Sequence, residues 1–473
     1  TYRLDQTVDG SLQAQMEDRE SYNWLSGPDD LDPEALRYSF WRLTQLKYGE
    51  ALRDYYDKRK ILIDERLRGD VPSFSREQPF VLTETLRRRG FDRDQYEQFV
   101  ARASRRFRRH RHVDDPYVQL RSMLHTRLLV SSEGTRVITQ DQFHEVVVTG
   151  WTLSPDGVRL RSMKCFYGRS DKDLPTLATV ESAVDEVADD LIQQARARPM
   201  EPSAGPALLS GVPAGIGFHE AIGHRLEGER LISRNEGHTF AHKVGRRVLP
   251  RGVDLIDDPT LQRFAGKPLY GHYRVDDEGV PAAPAVLVED GILKGFLPSR
   301  TSAPQQRSST GHGRHERYQD PMARMANLIV KSRDPHTWEE LEAMLLAEVR
   351  RRDLPFGIIV KNASSGETAT SADSYEFQAF KGNPTEVYTV DAKTGRHTRV
   401  RDVSFIGTPL AAVQRILAFG GDYEVDNSYC FAESGMVPVG TVAPAMLVAE
   451  LELQRSGGGQ FRAPTLPMPP MPK

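Results

Sequence analysis

"RLLVSSEGTRVITQ" (127–140) and "FHEVVVTGWTLSPDGVRLRSMKCFYG" (143–168) alternate apolar and polar residues with a period of two, which is the mark of half-buried strands. Each holds two β-rich runs around a turn, Glu133-Gly134 in the first and Asp156-Gly157 in the second. The simplest reading is an antiparallel meander over 126–167. Upstream the pattern is helical. In "LDPEALRYSFWRLTQLKYGEALRDYYDKRKILIDERL" (31–67), Asp32 suits an N-cap and Pro33 the first helical position. Leu36, Phe40, Leu43 and Leu46 follow at roughly helical spacing. A second helix is expected near 92–109, with Tyr96, Phe99, Val100, Ala103 and Phe107 on one face.

Downstream, "VESAVDEVADDLIQQARAR" (180–198) reads as an amphipathic helix, and "PMEPSAGP" (199–206) is punctuated by proline and glycine. The boundary between two domains is placed there. The expected fold class is α+β. An N-terminal α+β domain covers 1–200, with 1–115 mainly helical and 126–167 in antiparallel strands. A β-rich C-terminal domain covers 206–455, with a helix near 213–230, a helix at 336–352 and a shorter one at 409–418. The tail "SGGGQFRAPTLPMPPMPK" (456–473) reads as a flexible or polyproline-like extension.

The 473 residues carry 38% hydrophobic and 27% charged side chains, enough for a core and a solvated surface. The formal charge of −3 argues against a general nucleic-acid binder. The run "SRRFRRHRH" (104–112) reads as a phosphate-binding patch or as a solvated face answering nearby acidic residues, and the near-neutral chain favours the second. Only Cys165 and Cys430 occur, so a reducing compartment fits and a cytoplasmic location is expected. No run of 18 apolar residues is present, so no membrane partner is expected. The chain opens at Thr1 and not at a methionine, which suggests trimming or processing; an export signal lost with that end is the alternative.

Chemistry concentrates in "FHEAIGHRLEGE" (218–229). In the zinc-protease pattern H-E-x-x-H, two imidazoles four residues apart share one helix face. Here His219 and His224 are five apart. On an ideal helix that separation leaves the side chains about 140° apart around the axis, against about 40° for a spacing of four. Both reach one ion only if the helix is locally widened, as at a π-bulge, and Gly223 makes that distortion less costly. Glu220 stands beside the first histidine as a candidate base, and Glu227 is an alternative third ligand. The bland reading is a pair of histidines lining a polar seam. His238 and His242, at i and i+4, form a better ideal-helix pair, and His312 and His315 sit in a glycine-marked loop.

"HEAIGHRLEGE", "TGHGRHERYQDPMARMAN" (310–327) and "CFAESGMVPVG" (430–440) together resemble the TldD/PmbA family, also called the modulator-of-gyrase family. The second stretch matches its pattern through Gly311, Gly313, Arg314, Glu316, Tyr318, Arg324, Met325 and Asn327, and Cys430 keeps the family distance to Pro438. The resemblance covers about 205–455 strongly and 127–200 weakly. It implies a zinc-dependent peptidase acting on peptides or unfolded segments. His219, His224 and Cys430 would hold Zn²⁺, with Glu220 deprotonating the zinc-held water. Arg314, Tyr318 and Asn327 are the substrate-binding candidates. Members pair, so a homodimer or a heterodimer with a related subunit is implied, and this chain keeps the motif of the metal-bearing type. One departure is that Phe431-Ala432 follows the cysteine where Gly-Lys is usual. The rival readings are a non-catalytic peptide-binding partner subunit and a metal-dependent amide hydrolase acting on a modified small peptide.

Overall fold

The computed structural model describes residues 27–30, 32–64, 72–86, 92–232, 236, 238–301, 307–370 and 379–456. The expected tail beyond Ser456 lies outside them. Helix α1 spans Pro33–Asp64. Its start is fixed as the sequence suggests, with Asp32 Oδ1 accepting from the Glu34 and Ala35 amides at 2.8 and 2.9 Å. The face expected of Leu36, Phe40, Leu43 and Leu46 is not continuous. Phe40 is 69% exposed, as are its neighbours Tyr38 and Trp41 in large part.

Strand β1 (Val81–Thr83) is followed by α2 (Arg93–Arg105), which runs into a 3₁₀ turn at Arg106–Arg109. Asp92 caps α2, accepting from the Gln95 amide at 3.0 Å. Within the arginine run, Phe107 is buried, and Arg106 Nε and His110 Nε2 both lie 2.8 Å from Asp185 Oδ1. Those residues tie the turn to a neighbouring helix.

Three long strands form the meander: β2 (Asp114–Val130), β3 (Arg136–Leu153) and β4 (Arg159–Gly168). The antiparallel pairing agrees with the period-two reading, but β2 begins at Asp114, well before the expected 126. Its first half is mostly exposed with only Val118 fully buried, so little apolar contrast marked it. Helix α3 (Leu177–Arg196) packs Val180, Val184, Val187 and Leu191 against Val146, Val148 and Leu160 of the sheet. These apolar positions recur at helical spacing and meet a strand face of alternate residues, so both periods are used in one core.

The second sheet has thirteen strands, three of only two residues. The others are β5 (Ser203–Leu209), β6 (Val253–Asp257), β7 (Ala285–Glu289), β8 (Asn327–Ser332), β9 (Phe356–Thr368), β10 (Phe380–Asp391), β11 (His397–Arg401), β12 (Val403–Gly407), β13 (Ile416–Ala432) and β14 (Gly435–Arg455). β14 is the hub. It pairs with β5, β12 and β13 antiparallel and with β8 parallel. One face of the sheet is covered by α5 (Trp338–Arg351), whose start carries a complete Thr337/Glu340 capping box. The other buries the larger apolar core, built on Ile358, Val360, Val439, Met446 and Leu453 with Phe218 and Ile222 above them. A short helix, α6 (Pro409–Gln414), also packs there through Val413.

The two sheets meet through polar contacts. The Tyr270 hydroxyl donates to the His144 carbonyl, and Arg169 donates to the Tyr270 and His272 carbonyls at 3.1 and 2.9 Å. Among the described residues no helix is long and apolar enough to cross a membrane.

Candidate metal centre

β5 delivers the chain into α4, residues Gly211–Phe218, which packs against β9 and the β13–β14 hairpin. Its sequence "GVPAGIGF" is apolar on every side and buried except in part at Val212, so this is a core helix. Glu424 of β13 holds its first turn, accepting from the Val212 amide at 2.7 Å. The expected single helix near 213–230 is not regular. His219–Gly223 form one π turn, in which the His224 amide donates to the His219 carbonyl five residues back, and short 3₁₀ turns follow. Widening the turn by one residue does for a five-residue spacing what an ordinary turn does for four. The two rings lie with centroids 4.9 Å apart. Gly223 has an ordinary helical conformation (φ −55°, ψ −60°), so backbone freedom is not what it contributes. A Cβ there would lie 2.3 Å from Met325 Sδ, and its role is room.

Cys430, near the end of β13, brings the third donor. Its Sγ is 3.2 Å from His219 Nε2 and 3.3 Å from His224 Nε2. The three ligand atoms lie within 4.8 Å of one another, all are buried, and no other such group occurs among the described residues. Burial alone would push the Cys430 thiol up, but the imidazoles of His224 and His219 outweigh it and hold the thiol well below its usual range. Burial pulls both histidines down, and the thiolate beside them raises them beyond it. A thiolate and two imidazole nitrogens converging at a buried point are a donor set suited to zinc.

Glu220 is buried, and burial pushes its carboxyl up while His219 and His224 pull it down, with a net rise. Its side chain lies on bare backbone of β9, where a Cβ on Gly366 would come within 2.5 Å of Glu220 Cγ and 2.8 Å of Oε1. Gly366→Ala is therefore expected to displace the carboxylate and not the metal donors. If Glu220 is the base, hydrolysis should fall by about 10²-fold or more while zinc content, measured by metal analysis, stays at the parent value.

Glu227 is not placed as a third ligand. It is fully buried behind His224, with Oε2 3.2 Å from His224 Nδ1 and 2.9 Å from Arg230 Nε. Burial would raise its carboxyl, yet His224 and Arg230 hold it at about 2. His238 and His242 are in turns, and His238 has a φ of 37°, so the ideal-helix ligand pair does not form. His312 is buried against Asp257 and Thr310, and His315 lies on the Glu316 carbonyl.

The substrate-binding candidates separate. Arg314 is buried, stacks on Tyr273 at 4.9 Å and donates to the Met325 and Pro438 carbonyls at 2.6 and 2.7 Å. Asn327 is buried and donates to the Asp258 and Leu261 carbonyls at 3.0 and 3.2 Å. Both engage backbone carbonyls around the site. Tyr318 differs from both, with the Arg317 guanidinium 4.7 Å from its ring. It is 48% exposed at a φ of 74°, on the loop whose Glu316 amide donates to the Ser434 carbonyl just beyond Cys430.

Several residues of the centre escaped the sequence reading. Arg324 was noted only as a motif position, and it is the largest fully buried side chain. Its position among apolar neighbours in "MARMAN" was the available signal. Asp426, pushed up to about 6 by burial and drawn back by His219, and Gly366 carried no mark at all.

Residues 203–455 match the family described as PmbA/TldA metallopeptidase C-terminal domain. A metalloprotease of Methanocaldococcus jannaschii is 32% identical over 247 residues, covering 52% of this chain and 49% of that protein. A zinc metalloprotease TldD homolog of Saccharolobus solfataricus is 24% identical over 256 residues, 53% of this chain and 52% of that one. The chain thus spans about half the length of these curated relatives. Among solved structures, TldE from Thermococcus kodakarensis superposes with a TM-score of 0.60 at 15% identity, covering 90% of this chain and 86% of that one.

Proposed function

This chain belongs to the PmbA/TldD family, and we propose that it is a zinc-dependent peptidase hydrolysing peptide bonds in peptides or unfolded segments. The observation that carries the reading is the convergence of His219 Nε2, His224 Nε2 and Cys430 Sγ with Glu220 one residue from the first ligand. A zinc ion held by these three would polarise a peptide carbonyl and acidify a water. Glu220 accepts the proton of the attacking water and then delivers it to the leaving amine. Its buried, raised carboxyl suits it to both directions of transfer. His219, Glu220 and His224 are all buried, which keeps bulk solvent from them.

An extended substrate would lie along β9. That strand pairs with β5 only through Ile358–Val360, while its continuation to Thr368 runs past Glu220 with β10 on its other side. Main-chain hydrogen bonds to such an edge give affinity without demanding particular side chains. Tyr318, on the loop against the Cys430 turn, is the side chain we assign to substrate contact; Arg314 and Asn327 shape the site from behind. We infer a two-chain particle, either with itself or with a metal-free relative, and light scattering that returned a monomer at micromolar concentration would count against it. We infer a cytoplasmic location, which would keep Cys430 reduced as a ligand.

The decisive experiment is metal analysis of the purified protein together with a peptide-library digest. One zinc per chain and cleavage abolished by a chelator and restored by zinc are expected. Cleavage that survives complete metal removal would sink the reading. A zinc-loaded protein inert on every unfolded peptide would point instead to an amide of other chemistry.

A further inference from the structure

Arg324 and Glu227 are both fully buried, at 0% exposure. Burying two charges is unfavourable by several kcal/mol per ion before their mutual attraction is counted, so such a pair calls for an explanation beyond stability. Its contacts supply one. We propose that Glu227 and Arg324 are a positioning pair that sets the ring of His224 and the backbone of Cys430 in one frame, so that two ligands 206 residues apart in sequence arrive pre-aligned. The proposal rests on the metallopeptidase reading, and it assigns no contact with substrate to either residue.

Consider each end. Glu227 Oε2 lies 3.2 Å from His224 Nδ1. A carboxylate there places the ring proton on Nδ1 and leaves the Nε2 lone pair turned toward Cys430 and His219. At the other end the Arg324 fork takes hold of the chain around the third ligand. Nη2 donates to the Cys430 carbonyl at 2.7 Å, and Nη1 donates to Ser434 Oγ and the Gly435 carbonyl at 2.8 Å each. The turn that follows Cys430 is thereby fixed at three points. Arg230 reinforces it, joining Glu227 to Glu433 of the same turn with contacts of 2.9 Å.

The two ends meet at Glu227 Oε1 and Arg324 Nε, which are 3.5 Å apart. Among the described residues neither atom has a hydrogen-bond partner. A closure of a few tenths of an ångström would make this a charge-assisted bond. Only a planar guanidinium can serve one carboxylate with Nε and three chain acceptors with its two remaining nitrogens; a lysine ammonium presents no such fork.

The test is zinc titration of the metal-stripped full-length chain against a competing chelator, for the parent, Glu227→Gln and Arg324→Lys. Cobalt(II) spectra of the same proteins report the geometry at the thiolate. Each variant is expected to bind zinc about 10–100-fold more weakly than the parent, with a weakened thiolate-to-cobalt charge-transfer band. A role in general stability alone would lower the melting temperature and leave the cobalt spectrum of the folded protein unchanged. Ser434→Ala, which deletes one acceptor of the fork and no charge, is the third variant and covers the case in which the charge variants do not fold; a severalfold loss is expected for it. Any folded member of this set with parental zinc affinity and an unchanged cobalt band overturns the pair. If the parent itself binds neither metal, the metallopeptidase reading fails, which is a separate and distinguishable result.

Discussion

Glu220→Gln is expected to keep the fold and its zinc while lowering peptide hydrolysis by about 10²–10⁴-fold, the usual loss when a positioned general base is removed. The amide has nearly the shape of the carboxylate but accepts no proton from water. Its environment is permissive, because the side chain rests on the bare backbone at Gly366 and an amide of the same size fits there. The measurement is turnover on an unfolded peptide at matched zinc occupancy. A variant with near-parental turnover would move the base elsewhere. Glu227 is then a poor successor, since its carboxylate is enclosed by His224, Arg230 and Arg324 and faces away from the donors.

Cys430→Ser is the second large effect. Removing a thiolate from a three-residue donor set should reduce zinc affinity by more than the roughly 10–100-fold typical of losing an outer partner, and activity should fall with occupancy. Cys165→Ser is the control. Burial holds the Cys165 thiol up at about 11, so it is protonated and inert, whereas Cys430 is held low by two imidazoles. In the native protein Cys430 should resist alkylation until a chelator is added, and Cys165 should not respond to the chelator. If Cys430→Ser binds zinc and cleaves peptide as well as the parent, the third ligand is another residue and the convergence seen at 3.2 and 3.3 Å has no functional meaning.

How far the sequence could be read depended on how local the signal was. The cap at Asp32, the turn at Asp156-Gly157 and the helix read over 180–198 are written in adjacent residues, and they hold in the structure, where the helix spans Leu177–Arg196. The π turn was legible for the same reason, since two histidines at a spacing of five on a helix leave few geometries by which they can meet. What could not be read was set by partners distant in the chain. β2 looks polar from within and is a strand because β3 pairs with it along nearly its whole length. Glu227, Arg314 and Asn327 have the chemistry of ligands or substrate contacts, and nothing in their own neighbourhood of the sequence announces the imidazole and backbone carbonyls they meet in the fold. Gly223 misled in a subtler way, being read for flexibility when its value is the space it leaves for Met325.

The separation of 206 residues between His224 and Cys430 has a consequence for the protein while it is being made. A ribosome adds about 5–20 residues per second, so the histidine-bearing turn is out roughly 10–40 s before the cysteine is even synthesised. Through that interval the nascent chain carries two of the three donors and no closing hairpin, so any ion it meets would be weakly held. Only when β13 and β14 have both been released and zipped into the hub of the sheet does the thiol arrive beside the rings. The donor set is therefore completed late in synthesis, when pairing of β13 with β14 sets Cys430 beside His219 and His224.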